Sequence, residues 1–151
     1  LGTWTPAQVQ LLTVPCYFVG AAAYMGTAVL SDRLQMRGLF CVVFSTVSVV
    51  DAGAHLIAAA KADGAPLAAV ETSQTKARTS VLFAQATKDL VPAVQPGAPL
   101  FGIDAGVRDP LAFVPGGVPV VRNGTLIGAV GVGGGTPDQD HEIASAALAA
   151  L

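Results

Sequence analysis

Asn123-Gly124, set between "GVPVVR" and "TLIGAVGV", constrains this chain more tightly than any other stretch. The flanking runs are rich in β-branched residues, and Asn-Gly readily takes positive φ at both central positions of a type I′ turn. The twist of that turn matches two paired strands, so the segment must fold as a β-hairpin. Counting back, Arg122 faces Thr125, Val121 faces Leu126 and Val120 faces Ile127, which sets Gly128 opposite Pro119. Gly131 and Gly133 continue the second strand. Glycine at such positions bares part of a strand face and admits a helix, a neighbouring chain or a flat ligand to the backbone.

Beyond the hairpin, "GVGGGTPDQD" turns into a helix. Thr136 at the N-cap, Pro137 at the first helical position and Gln139 at the third make a capping box. Asp138 and Asp140 put negative charge in the first turn, where the helix dipole favours it and a phosphate would be repelled. The run also lacks the Lys-Ser/Thr of a P-loop, and no acidic residue follows at the distance a dinucleotide fingerprint requires. The glycines therefore serve a turn and a packing or ligand-approach surface.

Upstream, "LFCVVFSTVSVV" (39–50) reads as a buried strand, Asp51-Ala-Gly-Ala54 as a turn and "HLIAAAK" as a returning strand. After Asp63-Gly-Ala-Pro66, residues 67–84 read as a helix, with Val70, Ala77, Val81 and Ala84 on one face and Glu71, Gln74 and Arg78 on another. Lys88 to Val94 is a short helix or turn. Residues 95–117 form a long Gly- and Pro-studded loop, and loops of that length are functional or cover something. A helix begins at Pro6. Residues 11–30 carry no charge, but Pro15, Gly20 and Gly26 favour a buried helix broken near Pro15 over a membrane span. Ser31 to Gly38 is a polar turn or helix end. The pattern is α+β: an antiparallel sheet covered by helices.

Composition narrows the function classes. The chain of 151 residues is 52% hydrophobic and only 12% charged, which suits one buried body with surface covered by copies of itself. A net charge of −2 and scattered bases exclude an electrostatic nucleic-acid surface. No Lys or Arg precedes Arg33, so these residues show no secretory n-region and a cytoplasmic location is expected, with a secreted form as the alternative. Cys16 and Cys41 read as buried thiols, and two histidines with two scattered cysteines make no zinc site.

"VVDAGAHLIAAAKADGAPLAAVETSQTKARTS", "VQPGAPLFGI" and "VPGGVPVVRNGTLIGAVGVGGGTPDQD" together resemble the GlcG/HbpS-type haem-binding family. That family includes the C-terminal domain of the PduO cobalamin adenosyltransferases. The resemblance runs from about Val49 to Leu151, while residues 1–40 form an atypical helical segment of the same single domain. It implies a profilin-like fold: about five antiparallel strands flanked by helices in α/β/α layers, assembled into a homo-oligomer. It also implies haem as a ligand.

Candidate site residues follow from chemistry. His55 opens the second strand beside the turn and is the candidate haem axial ligand. His141, between Asp140 and Glu142, reads as part of a solvated acidic face. Tyr17, Tyr24, Met25 and Met36 read as core. On the 67–84 helix Glu71 and Arg78, seven apart, lie one above the other with Lys76 turned away; the three read either as a solvated ion-pair face or as a charged rim for haem propionates or a small carboxylate. Pro115, Gly116 and Gly117 of "VPGGVP" would let a ligand approach the backbone closely. Two function classes stay open: a haem-binding or haem-handling accessory protein, or a small cofactor-independent catabolic enzyme acting on an organic or aromatic acid through Lys76, Arg78, Glu71 and His55.

Overall fold

A computed structural model describes residues 45–149. The helix expected from Pro6, the uncharged 11–30 stretch, the polar 31–38 turn, the first part of the 39–50 strand, and Cys16 and Cys41 lie outside the described residues. The elements are β1 (Thr46–Asp51), β2 (Leu56–Lys61), α1 (Leu67–Phe83), the short α2 (Thr87–Leu90), β3 (Gly117–Arg122), β4 (Thr125–Gly133) and α3 (Pro137–Ala149). Single 3-10 turns at Val91–Val94 and Ile103–Gly106 punctuate the stretch between α2 and β3.

Four antiparallel strands, against about five expected, make the sheet among the described residues, in the order β2-β1-β4-β3. Both hairpin turns lie at one end of it, because Asp51 at the end of β1 pairs with Gly128 near the start of β4. On one face, Val50 and Ala129 pack against Ala77 and Val81 of α1. On the other, Val130 and Val132 pack against Ala144 of α3, with Val47, Val49, Val118 and Val120 around them. The layers are thus α/β/α.

The Asn123-Gly124 turn has φ of 52° and 77°, positive at both positions as a type I′ turn requires. Arg122 pairs with Thr125 and Val121 with Leu126, but then the register shifts: Val120 pairs with Gly128, and Pro119 with Ala129. Ile127 is the extra residue of a β-bulge. An unbroken alternation cannot anticipate it, so the expected pairings of Val120 with Ile127 and of Pro119 with Gly128 are corrected by one position.

The bare strand face belongs to α1. A Cβ on Gly131 would overlap the Ser73 carbonyl, one on Gly133 would meet Thr72 Oγ1 at 2.7 Å, and one on Gly117 would overlap the Lys76 carbonyl. The helix backbone lies directly on the sheet, and its buried residues are correspondingly small: Ala69, Ser73, Ala77, Thr79 and Ser80 besides Val81 and Lys76. This offsets the expected stripe. Val70 is only half-buried, and Ala84 is an exposed left-handed C-cap with φ of 49°.

The capping box forms as its residues dictate: Gln139 Oε1 accepts from the Thr136 N–H at 3.0 Å, and Thr136 Oγ1 accepts from the Gln139 N–H at 3.4 Å. The glycine turn before it is held by Asp140, whose Oδ1 accepts from the Gly135 N–H at 2.9 Å. Three amides of this turn and helix start, those of Gly135, Thr136 and Gln139, are therefore committed to side chains. No helix among the described residues is long and apolar enough to cross a membrane.

Candidate functional site

Lys76 carries the largest departure from expectation. It is not on a charged rim: the residue is 5% exposed, and its Nζ donates to Asp140 Oδ2 at 2.7 Å and to the Val132 carbonyl at 3.0 Å. The lysine thus extends from the α1 layer to the first turn of α3, on the other face of the sheet. Asp140 is buried with it, so the first turn of α3 is acidic for a partner as well as for the dipole. Gly116, at φ of 129°, covers this pair, and a Cβ there would come within 3.0 Å of Lys76 Cδ and 2.9 Å of Asp140 Cβ.

The loop that bears "VPGGVP" is fastened to α2 and to β4. Thr87 Oγ1 donates to the Val114 carbonyl at 2.8 Å and accepts from the Gly117 N–H at 2.9 Å. The Val132 N–H donates to the Gly116 carbonyl at 2.8 Å. Further out, Arg78 pairs with Asp109 at 2.5 Å, the Ala112 N–H donates to Thr79 Oγ1 at 2.9 Å, and Phe83 meets Phe113 edge-on at 5.7 Å. The long loop covers the C-terminal half of α1. Pro115 is half-buried and Gly116 and Gly117 are buried, with Val132, Asp140 and Lys76 close on Gly116 and the Lys76 backbone close on Gly117.

The other expected site residues are distributed rather than gathered. Glu71 is exposed near the start of α1, while Arg78 is committed to Asp109. The start of α1 packs beside Gly133, at the far end of β4 from the two hairpin turns. His55 sits at the turn end. Within one chain, Glu71, Lys76 and His55 therefore do not converge on one pocket. His141 is half-buried rather than solvated, and its enclosed Nδ1 has no hydrogen-bond partner among the described residues. No group of three or more His, Cys, Asp or Glu residues suited to a metal ion occurs among the described residues.

His55 is built into its turn by Asp51. Oδ1 of that carboxylate accepts from the Gly53 N–H at 2.8 Å and the His55 N–H at 2.9 Å, and Oδ2 lies 3.2 Å from His55 Nδ1. The His55 backbone N–H, aided by the ring and by the Gly53 N–H, holds the Asp51 carboxyl below the usual aspartate range. Ala54, at φ of 65°, closes the turn and packs against the Val50–Val81 cluster. The His55 side chain is 81% exposed, so its far edge is open. Around that end of the sheet, Leu56, Val121 and Ile127 are exposed by 49%, 56% and 45%, and Arg122 is also exposed. An open imidazole held by a carboxylate has the chemistry of a metal ligand, while Val121 and Arg122 lie on β3, at the opposite edge of the four-stranded sheet. Alternation in the strands pointed to none of this apolar rim, because the bulges at Ile127 and between Val49 and Val50 break it.

The family model described as "Haem degrading protein HbpS-like" matches residues 22–149. An uncharacterized 15.0 kDa protein of the dhaT-dhaS intergenic region of Citrobacter freundii is 38% identical, over 86% of this chain and 88% of that protein. The corrinoid adenosyltransferase PduO of the same organism is 36% identical over 70% of this chain, and the match spans only 31% of PduO. Among solved structures, the crystal structure of a PduOC:heme complex is similar with a TM-score of 0.70 and 34% identity, covering 83% of this chain and 88% of that one.

Proposed function

The chain belongs to the HbpS-like family of haem degrading proteins, and on that premise we propose that it binds haem as an accessory, haem-handling protein. The observation that carries the reading is His55: an imidazole open to solvent at the turn end of the sheet, held by Asp51 and followed in the chain by exposed Leu56. The haem complex formed by the structurally similar PduOC supports haem as the ligand. When bound, haem would supply an iron centre, which the imidazole of His55 would hold. This chain's part is to present that imidazole and to cover the macrocycle with apolar side chains.

A homo-oligomer completes the proposal. Strand β2 is exposed along its whole length, pairs only with β1 among the described residues, and is apolar from Leu56 to Ala60. An edge of that kind is normally paired or covered.

Haem titration tests the reading. Wild-type protein should give a saturable, sharpened Soret band, and His55→Ala should move its position. A broad, non-saturating band that ignores the substitution would overturn it.

A further inference from the structure

We propose that Asp51 is a positioning residue that holds the His55 ring with its proton on Nδ1, so that the Nε2 lone pair faces outward as the atom that takes a haem iron. The proposal rests on the haem reading above and adds to it a named atom and a second residue. Asp51 is itself fixed, because two backbone amides, of Gly53 and His55, donate to its Oδ1. Its Oδ2 then stands 3.2 Å from His55 Nδ1. An ionised carboxylate is an acceptor only, so this contact is favourable when Nδ1 carries the proton. In a neutral imidazole that choice leaves Nε2 as the acceptor.

Gly53 makes the arrangement sterically possible. A Cβ there would come 2.8 Å from both His55 Nδ1 and Cε1, so the ring lies close over a backbone that only glycine leaves open. Stability does not account for the pair: both partners are substantially exposed, at 81% and 44%, and such contacts contribute little. What the geometry does accomplish is orientation. A carboxylate on one ring nitrogen with the other nitrogen free is how ligating histidines are held, and losing such an outer partner costs roughly 10- to 100-fold in affinity.

Two readouts separate this proposal from the haem reading. The first needs no haem: long-range proton–nitrogen NMR of the imidazole, at a pH where the ring is neutral, should find the Nδ1–H tautomer in wild-type protein. Asp51→Asn should shift the ring toward Nε2–H, while its side-chain oxygen still accepts from the two turn amides and keeps the fold. Gly53→Ala should displace the ring in the same assay. The second is haem titration, in which Asp51→Asn should weaken binding roughly 10- to 100-fold. A wild-type ring in the Nε2–H tautomer would overturn the proposal whether or not haem binds. Equal haem affinity of wild-type and Asp51→Asn proteins, with His55→Ala impaired, would overturn the positioning role alone. An Nδ1–H ring in a protein that takes up no haem would sink the haem reading while upholding the orientation.

Discussion

Replacing Lys76 by Met should strongly destabilise this fold, because it breaks the buried pair with Asp140 from one side. The lysine is 5% exposed and makes two hydrogen bonds, to Asp140 Oδ2 and to the Val132 carbonyl. Methionine keeps most of the apolar stem but removes the ammonium. Asp140, 2% exposed, then keeps the Gly135 N–H as a donor but loses the ammonium, and the Val132 carbonyl loses the Lys76 donor. Breaking a buried pair from one side costs about 3–5 kcal/mol, because the surviving charge stays desolvated. Against a total stability of about 5–15 kcal/mol for a domain, that is a large fraction. Urea unfolding followed by far-UV circular dichroism reads it directly, provided the slope with denaturant is unchanged. The double substitution Lys76→Met with Asp140→Leu should recover much of the loss, since it leaves no unpaired buried charge and Gly135 is exposed enough for water to take its N–H. A single variant within about 1 kcal/mol of wild type, or a double variant as unstable as the two singles summed, would refute the reasoning.

Three other outcomes follow from the same packing. Gly131→Ala should cost about 1–3 kcal/mol in urea unfolding, because its Cβ would overlap the Ser73 carbonyl and push α1 off the sheet. Gly124→Val, at φ of 77°, should cost about 1–2 kcal/mol, and an unchanged melting temperature would count against the turn's role. Light scattering at micromolar concentration should give a mass several times 15.1 kDa, whereas a monomer would leave the apolar β2 edge without the cover proposed for it.

The hairpin and the capping box were legible because each is decided by neighbours in sequence. Asn123-Gly124 sets its own φ values, and Thr136 and Gln139 satisfy each other's amides across three residues. The bulge at Ile127 was not legible, since nothing in a run of alternating side chains marks where one residue will be skipped. Lys76 was misjudged for a different reason. Its partner Asp140 lies 64 residues away, and helix-face reasoning assigns charge to solvent. A signal was present all the same: Ala69, Ser73, Lys76 and Ser80 follow helical spacing, and three of the four are small. A lysine in such a stripe lies on the packed face. Gly131 and Gly133 permit close approach, as their spacing implies, but a helix, a neighbouring chain and a flat ligand suit that spacing equally, and only the packing assigns the space to α1. His55 stood out by type alone, and its orientation by Asp51 followed only from the turn geometry.

Resonance Raman spectroscopy of the ferrous, haem-loaded protein examines the ligand itself. An iron–histidine stretching band in wild-type protein that disappears in His55→Ala, with folding intact by circular dichroism, is the result expected if the turn-end imidazole holds the iron. An identical band in both proteins, or none in either, would contradict it.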